Sequence, residues 1–244
     1  PGMAGTNQKA QKSEAPPRAV VTGGSRGIGR AIALGLARQG YAVSITGRDS
    51  ERLATAAAEI EAVEPTGVTP GATPTLHRSF AADLANPEET ARLAADLREA
   101  FPYIDLLVLN AGIACSRPIA ETRDEEWDRI FHVNVRAPFV IARELIPALR
   151  AAGGRVMVIG SVVSRAAYPL QGAYTASKHA LYGLTKVLAK ELHQDGVIVQ
   201  TVLPGGVDTD MIHGVRPDID TTDLIRPEDV ADTVLAMLEQ KGNA

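Results

Sequence analysis

The chain is poor in cysteine, in aromatic residues and in net charge, and it has no long apolar run. Its one cysteine, Cys115, rules out an internal disulfide and suits a reducing compartment, so a cytoplasmic location is expected. Aromatics make up 4% of the residues. Alanine, valine, leucine and isoleucine must therefore fill the core, as they do in a parallel sheet covered by helices. The formal net charge is −4 and no Lys/Arg block stands out, which argues against nucleic acid or an anionic membrane as the main partner. No apolar stretch approaches the length of a membrane span. His77, His132, His179, His193 and His213 are scattered without metal-ligand spacing, so no metal site is expected. Residues 1–17 lack an apolar segment and read as a disordered tail rather than a signal peptide. That leaves 18–244 as a single domain without internal repeats.

What is present alternates between strand and helix. Ala19-Val20-Val21-Thr22 is a short β-branched apolar run and predicts a buried strand. It leads into Gly23-Gly24-Ser25-Arg26-Gly27-Ile28-Gly29, followed by an Ala/Leu-rich helix to Gln39. Strand, glycine turn and helix form the context in which glycines let the backbone approach a pyrophosphate at a helix N-terminus. Further strands are expected at 42–46, 76–80, 104–109, 155–159 and 197–203. Helices are expected at 50–63 with Ser50 as cap, at 86–100 with Pro87 in its first turn, over 122–150 as a stretch that Pro138 and Pro147 bend or interrupt, at 173–195 and at 227–241. Glu64 to Thr75, with three prolines and two glycines, reads as a long loop. The expected fold is α/β: a Rossmann-like doubly wound parallel sheet with helices on both faces.

The ends of the predicted strands hold the residues able to do chemistry. Asp83-Leu84 follows the third, Asn110-Ala111-Gly112 the fourth, Ser161 the fifth and Pro204-Gly205-Gly206 the sixth. Tyr174 and Lys178 stand four apart on one predicted helix, and so one turn apart on one face. A free phenol has a pKa of about 10 and is a poor base at neutral pH. Bringing it to about 7 asks for roughly 4 kcal/mol of differential electrostatics, expected from Lys178 and a second positive group. Asn134 lies inside a predicted helix, where Asn is a poor residue, so it either caps a break or takes part in the chemistry. At the end of the second strand an acid would hold a ribose. Gly47 and Arg48 stand there instead, and Arg26 sits in the glycine turn. Paired guanidiniums suit a 2′-phosphate, which favours NADP over NAD. Asp49 is the competing signal.

Taken in this order, Thr22-Gly23-(x)3-Gly27-Ile28-Gly29, Asp83-Leu84, Asn110-Ala111-Gly112, Asn134, Ser161, Tyr174-(x)3-Lys178 and Pro204-Gly205 with Thr209 resemble the short-chain dehydrogenase/reductase family, in its compact single-domain branch, which includes 3-oxoacyl-carrier-protein reductases. The resemblance covers about 18–240 and implies a reversible NADP(H)-dependent oxidoreductase acting on a carbonyl or alcohol. It implies that Tyr174 is the general acid/base, that Lys178 lowers its pKa and binds the nicotinamide ribose, that Ser161 orients the substrate oxygen, and that Asn134 holds a water in a proton relay. Gly23, Ser25, Arg26, Gly27, Ile28, Gly29 and Arg48 would cradle the phosphates. Asp83 and Leu84 would meet the adenine, Asn110 to Gly112 would line the cofactor, and Pro204, Gly205, Val207 and Thr209 would hold the carboxamide. Ala114, Val163, Tyr168, Gln171, Gly206 and the 208–220 segment, with Ser161, would form the substrate pocket. The family's usual seventh strand is not visible, so six strands are expected, with a homodimer through the long helices and a tetramer as the alternative. Trp127 is expected in packing. The competing function is a cofactor-binding regulatory or interaction protein with little turnover.

Overall fold

The structure is a computed structural model that describes residues 15–66 and 76–240. Most of the expected tail and most of the expected 64–75 loop lie outside the described residues. The first half runs β1 (Arg18–Val21), α1 (Gly27–Arg38), β2 (Ala42–Gly47), α2 (Ser50–Glu61), β3 (Arg78–Ala81), α3 (Pro87–Ala100) and β4 (Leu106–Leu109). It continues through α4 (Asp124–Phe131), a π-helical turn (His132–Arg136), α5 (Ala137–Ala152) and β5 (Arg155–Ile159). Then come α6 (Gly172–Leu192), β6 (Ile198–Val202), α7 (Asp210–Val215) and α8 (Pro227–Glu239).

Among the described residues the strands form one six-stranded sheet in the order β3-β2-β1-β4-β5-β6, and every neighbouring pair is parallel. Side chains alternate across each strand, and the two faces fill two cores. Val20, Leu107, Val156 and Val158 pack under α3, α5 and α6, where Leu97, Leu145 and Leu188 meet them. Val21, Val108, Met157 and Ile159 pack on the other face against Ile32 and Leu36 of α1, Ile60 of α2 and Val234 of α8. Aliphatic side chains dominate both cores, as the scarcity of aromatics requires. The chain moves outward through β2 and β3, then crosses back to β4 beside β1. Such a reversal opens a crevice at the carboxyl ends of β1 and β4.

One expectation is corrected. Asp49, not Ser50, caps α2: its carboxylate accepts from the N–H groups of Glu51 and Arg52, both at 3.1 Å. Its Oδ1 thereby serves the helix, while its Oδ2 stands 3.6 Å from Arg52 Nε. The helical stretch expected over 122–150 is interrupted ahead of Pro138 by the π turn that contains Asn134. Pro138 has no N–H to donate to the carbonyl four residues back, that of Asn134, and the backbone widens ahead of it. Pro147 stays inside α5 without interrupting it.

Candidate active site

A cleft of about 740 Å³ runs along the carboxyl edge of the sheet. At one end lies the turn between β1 and α1. Gly23 adopts φ +67°, and its Cα faces Ala111 and Asn110 across the crevice. The hydroxyl of Thr22 holds this junction, accepting from the N–H groups of Asn110 at 3.0 Å and Ala111 at 3.1 Å. The Asn110 side chain donates to the carbonyls of Thr22 and Gly23 at 3.0 and 3.2 Å. Gly29 packs directly beneath, where a Cβ would overlap the Gly23 carbonyl and the Asn110 amide. The start of α1 has no side-chain cap, whereas α2 and α3 are capped by Asp49 and Asn86. Its first N–H groups are thus left for a ligand, and they sit where the helix dipole favours an anion.

Exposed arginines ring that end of the cleft. Arg48 lines it from the end of β2 and forms no ion pair among the described residues. Arg26 of the glycine turn and Arg52 of α2 both line it too, and both reach Asp210, the first residue of α7, at 2.9 Å. Arg52 and Arg26 hold the Asp210 carboxyl below its ordinary range.

At the other end, β5 delivers Ser161 and α6 presents Tyr174 and Lys178. Lys178 is buried, and its Nζ donates to the Ile159 carbonyl at 3.2 Å and stands 5.8 Å from the centre of the Tyr174 ring. An ammonium has more donors than that one bond uses. Burial lowers its pKa from 10.5 to about 8. Burial also raises the pKa of the Tyr174 phenol, which the Ser161 hydroxyl partly opposes. The downward pull expected of Lys178 and a second positive group therefore has burial to overcome. Asn134 lies fully buried behind this wall. Its Oδ1 accepts from the Ile113 N–H, and its Nδ2 donates to the Ile113 carbonyl and to the Ser177 hydroxyl, each at 2.9 Å. Ser177 in turn donates to the Tyr174 carbonyl at 2.7 Å. A Cβ on Gly112 would stand 3.4 Å from Asn134 Oδ1 and 3.5 Å from Lys178 Nζ, so both groups flank that glycine.

Residues 17–220 match the family model described as short chain dehydrogenase. The chain belongs to the short-chain dehydrogenase family. It is an oxidoreductase of that family. A "Short-chain type dehydrogenase/reductase" of Picea abies is 39% identical over 196 residues, 79% of this chain and 71% of the relative. A 3-oxoacyl-[acyl-carrier-protein] reductase of Staphylococcus epidermidis is 34% identical over 204 residues, 82% of this chain and 79% of the relative. Among solved structures, a short-chain dehydrogenase from Burkholderia cenocepacia in complex with NADP superposes with a TM-score of 0.77 at 34% identity, covering 93% of this chain and 92% of that one.

Most of the site residues expected of a short-chain dehydrogenase meet on this one cleft. The phosphate end has Gly23, Ser25, Arg26, Gly27, Ile28 and Arg48, with Asp83, Leu84 and Asn110 to Gly112 beside them. The opposite end has Ser161, Val163, Tyr168, Gln171, Tyr174 and Lys178, and the far wall has Pro204 to Val207 and Thr209. Gly29 and Asn134 stand behind the residues that line it, Gly29 against the Gly23 carbonyl and Asn134 against Ile113. Sequence reasoning missed Arg52 and Ser177, and it placed Asp210, within 208–220, at the substrate pocket rather than beside the arginines. Asp210 directly follows Thr209, but nothing in the local sequence says that it meets arginines from two other segments. Among the described residues no cluster of three or more His, Cys, Asp or Glu converges as a metal site would. No described helix is long and apolar enough to cross a membrane.

Proposed function

We propose that this short-chain dehydrogenase interconverts a secondary alcohol and a ketone with NADP(H), with Tyr174 passing the proton. The observation that carries the reading is the shared cleft. One end offers uncapped helix N–H groups and the guanidinium of Arg48, unpaired among the described residues, and the other offers Ser161, Tyr174 and Lys178 side by side. The first end fits a pyrophosphate and a 2′-phosphate. The unfilled donors of the buried Lys178 fit ribose hydroxyls. When bound, the cofactor supplies or accepts the hydride.

The chain's own residues handle the oxygen and its proton. Ser161 orients the substrate oxygen by a hydrogen bond and Tyr174 exchanges a proton with it. Lys178 supplies positive charge in a dry environment, where charge acts most strongly. Asn134 ties the π turn to the Gly112–Ile113 segment, and its carbonyl, which Pro138 cannot bond, suits the water of a proton relay. Val163, Tyr168, Gln171 and Gly206 combine apolar, aromatic and amide groups, which suits a small or medium carbonyl compound. A binder without turnover has no use for a lysine buried with so few partners. The proposal extends to 18–244 as one catalytic domain, to a cytoplasmic enzyme, in keeping with its single buried thiol, and to a homodimer through α5 and α6.

The test is a screen of ketones and alcohols read by NADPH absorbance, followed by Tyr174→Phe. Removing the ionisable hydroxyl is expected to cut turnover by roughly 10²–10⁴-fold while calorimetry still detects NADPH binding. Near-normal turnover in this variant would overturn the mechanism.

A further inference from the structure

Three arginines from three segments meet at the phosphate end of the cleft: Arg26 from the glycine turn, Arg48 from the end of β2 and Arg52 from the first turn of α2. Two of them are engaged. Nη1 of Arg26 and Nη1 of Arg52 each donate to the same oxygen, Oδ2 of Asp210, at 2.9 Å. All three side chains of this bridge are more than half exposed, at 53%, 54% and 60%. The acid therefore stays within reach of solvent and of any ligand entering the cleft.

We propose that Asp210 is a built-in rival of the cofactor's 2′-phosphate: its carboxylate holds Arg26 and Arg52 until the phosphate displaces it, and Arg52 joins Arg26 and Arg48 in reading that phosphate. The proposal rests on the NADP reading above. A carboxylate brings one negative charge and here satisfies two guanidiniums through one oxygen. A phosphate monoester brings a charge of about −1.5 to −2 and three acceptor oxygens, and it takes guanidiniums in the bidentate geometry they favour. The exchange therefore runs towards the phosphate. A ribose hydroxyl at the same place has no charge with which to displace the acid, so NAD would leave the bridge intact. Asp49 holds Arg52 more loosely, with its Oδ2 3.6 Å from Arg52 Nε while its Oδ1 caps α2, so Asp210 is the acid that bridges Arg26 and Arg52.

The bridge also has a consequence for the opposite wall. Asp210 opens α7, directly after the Pro204–Thr209 segment that lines the cleft. One carboxylate thus ties that wall to both the glycine turn and α2. Displacing it frees the wall at the moment the correct cofactor arrives.

The test uses adenosine 2′,5′-bisphosphate and 5′-AMP, titrated calorimetrically at low ionic strength into the wild-type chain, Asp210→Asn and Arg52→Ala. The wild type is expected to prefer the bisphosphate. Asp210→Asn should bind the bisphosphate about threefold to tenfold tighter, the span of one or two exposed ion pairs, and leave 5′-AMP within about twofold. Arg52→Ala should weaken the bisphosphate by a similar factor and spare 5′-AMP. Unchanged or weaker bisphosphate binding by Asp210→Asn, in a wild type that prefers the bisphosphate, overturns the rivalry and leaves the NADP reading standing. A selective loss absent from Arg52→Ala removes Arg52 from the phosphate site. A wild type that binds both ligands alike brings down the NADP reading, and the rivalry with it.

Discussion

The buried ammonium of Lys178 opposes folding, and the direction of its titration makes that measurable. Its pKa falls from 10.5 to about 8 on burial. Between those values the unfolded chain holds a proton that the folded chain has released, so stability must rise with pH across that window. The full difference corresponds to about 3 kcal/mol. The Lys178→Met variant lacks the titration. Denaturant unfolding of both proteins at pH 7 and pH 9.5 should show the stability difference moving by about 2 kcal/mol in favour of the wild type at the higher pH. Tyr174 titrates above its ordinary value and stays outside this range. A difference that does not change with pH would show that Lys178 is not desolvated as the structure places it. The spacing of Tyr174 and Lys178 was legible in the sequence. The depth at which the fold buries them was not, because the residues that surround them, Ile159, Ser161 and Gly112 among them, come from other segments. The arginine partners of Asp210 were hidden for the same reason: they lie far away along the chain.

Elements were read best where local chemistry alone decides them. The β1 strand, the glycine turn and α1 follow from a β-branched run, three spaced glycines and an Ala/Leu pattern, and the structure has them there. Errors arose where a neighbour decides. Asp49 displaced Ser50 as the α2 cap because a carboxylate one residue earlier can reach two N–H groups. The interruption expected from Pro138 takes the form of a π turn at His132–Arg136, placed ahead of the proline because its effect falls on the residues before it. The glycine turn yields a test of its own. Gly29→Ala would place a methyl group against the Gly23 carbonyl and the Asn110 amide, both fixed by the Thr22 junction. The variant should lose about 1–3 kcal/mol of stability, as overpacked sites do, and should bind NADPH more weakly because the turn must shift. Thermal melts and calorimetry measure the two effects. Unchanged values in both would show that the turn relaxes freely.

The whole chain leaves apolar side chains wet along its second half. Trp127 of α4, expected in packing, is 42% exposed and stacks on Phe131 with ring centres 4.6 Å apart. Phe139 of α5 is 42% exposed and Val187 of α6 is 52% exposed. Both helices already use their other faces: Leu145 and Leu149 of α5 and Leu181, Leu188 and Leu192 of α6 are buried against the sheet. What remains is an outward surface that water solvates poorly and that a second copy would cover. The proposed homodimer follows from this. β6 stands at the edge of the sheet, and an exposed edge is a second place where copies can meet, which is the route to a tetramer. Light scattering on a sizing column separates the cases. A dimer is expected for the wild type, and Phe139→Asp combined with Val187→Asp should convert it to a monomer, since paired acids at a symmetric interface face their own copies. A monomeric wild type at micromolar concentration would refute the interface. A tetramer that the double substitution reduces to a dimer would keep the helix contact and assign the second contact to another face.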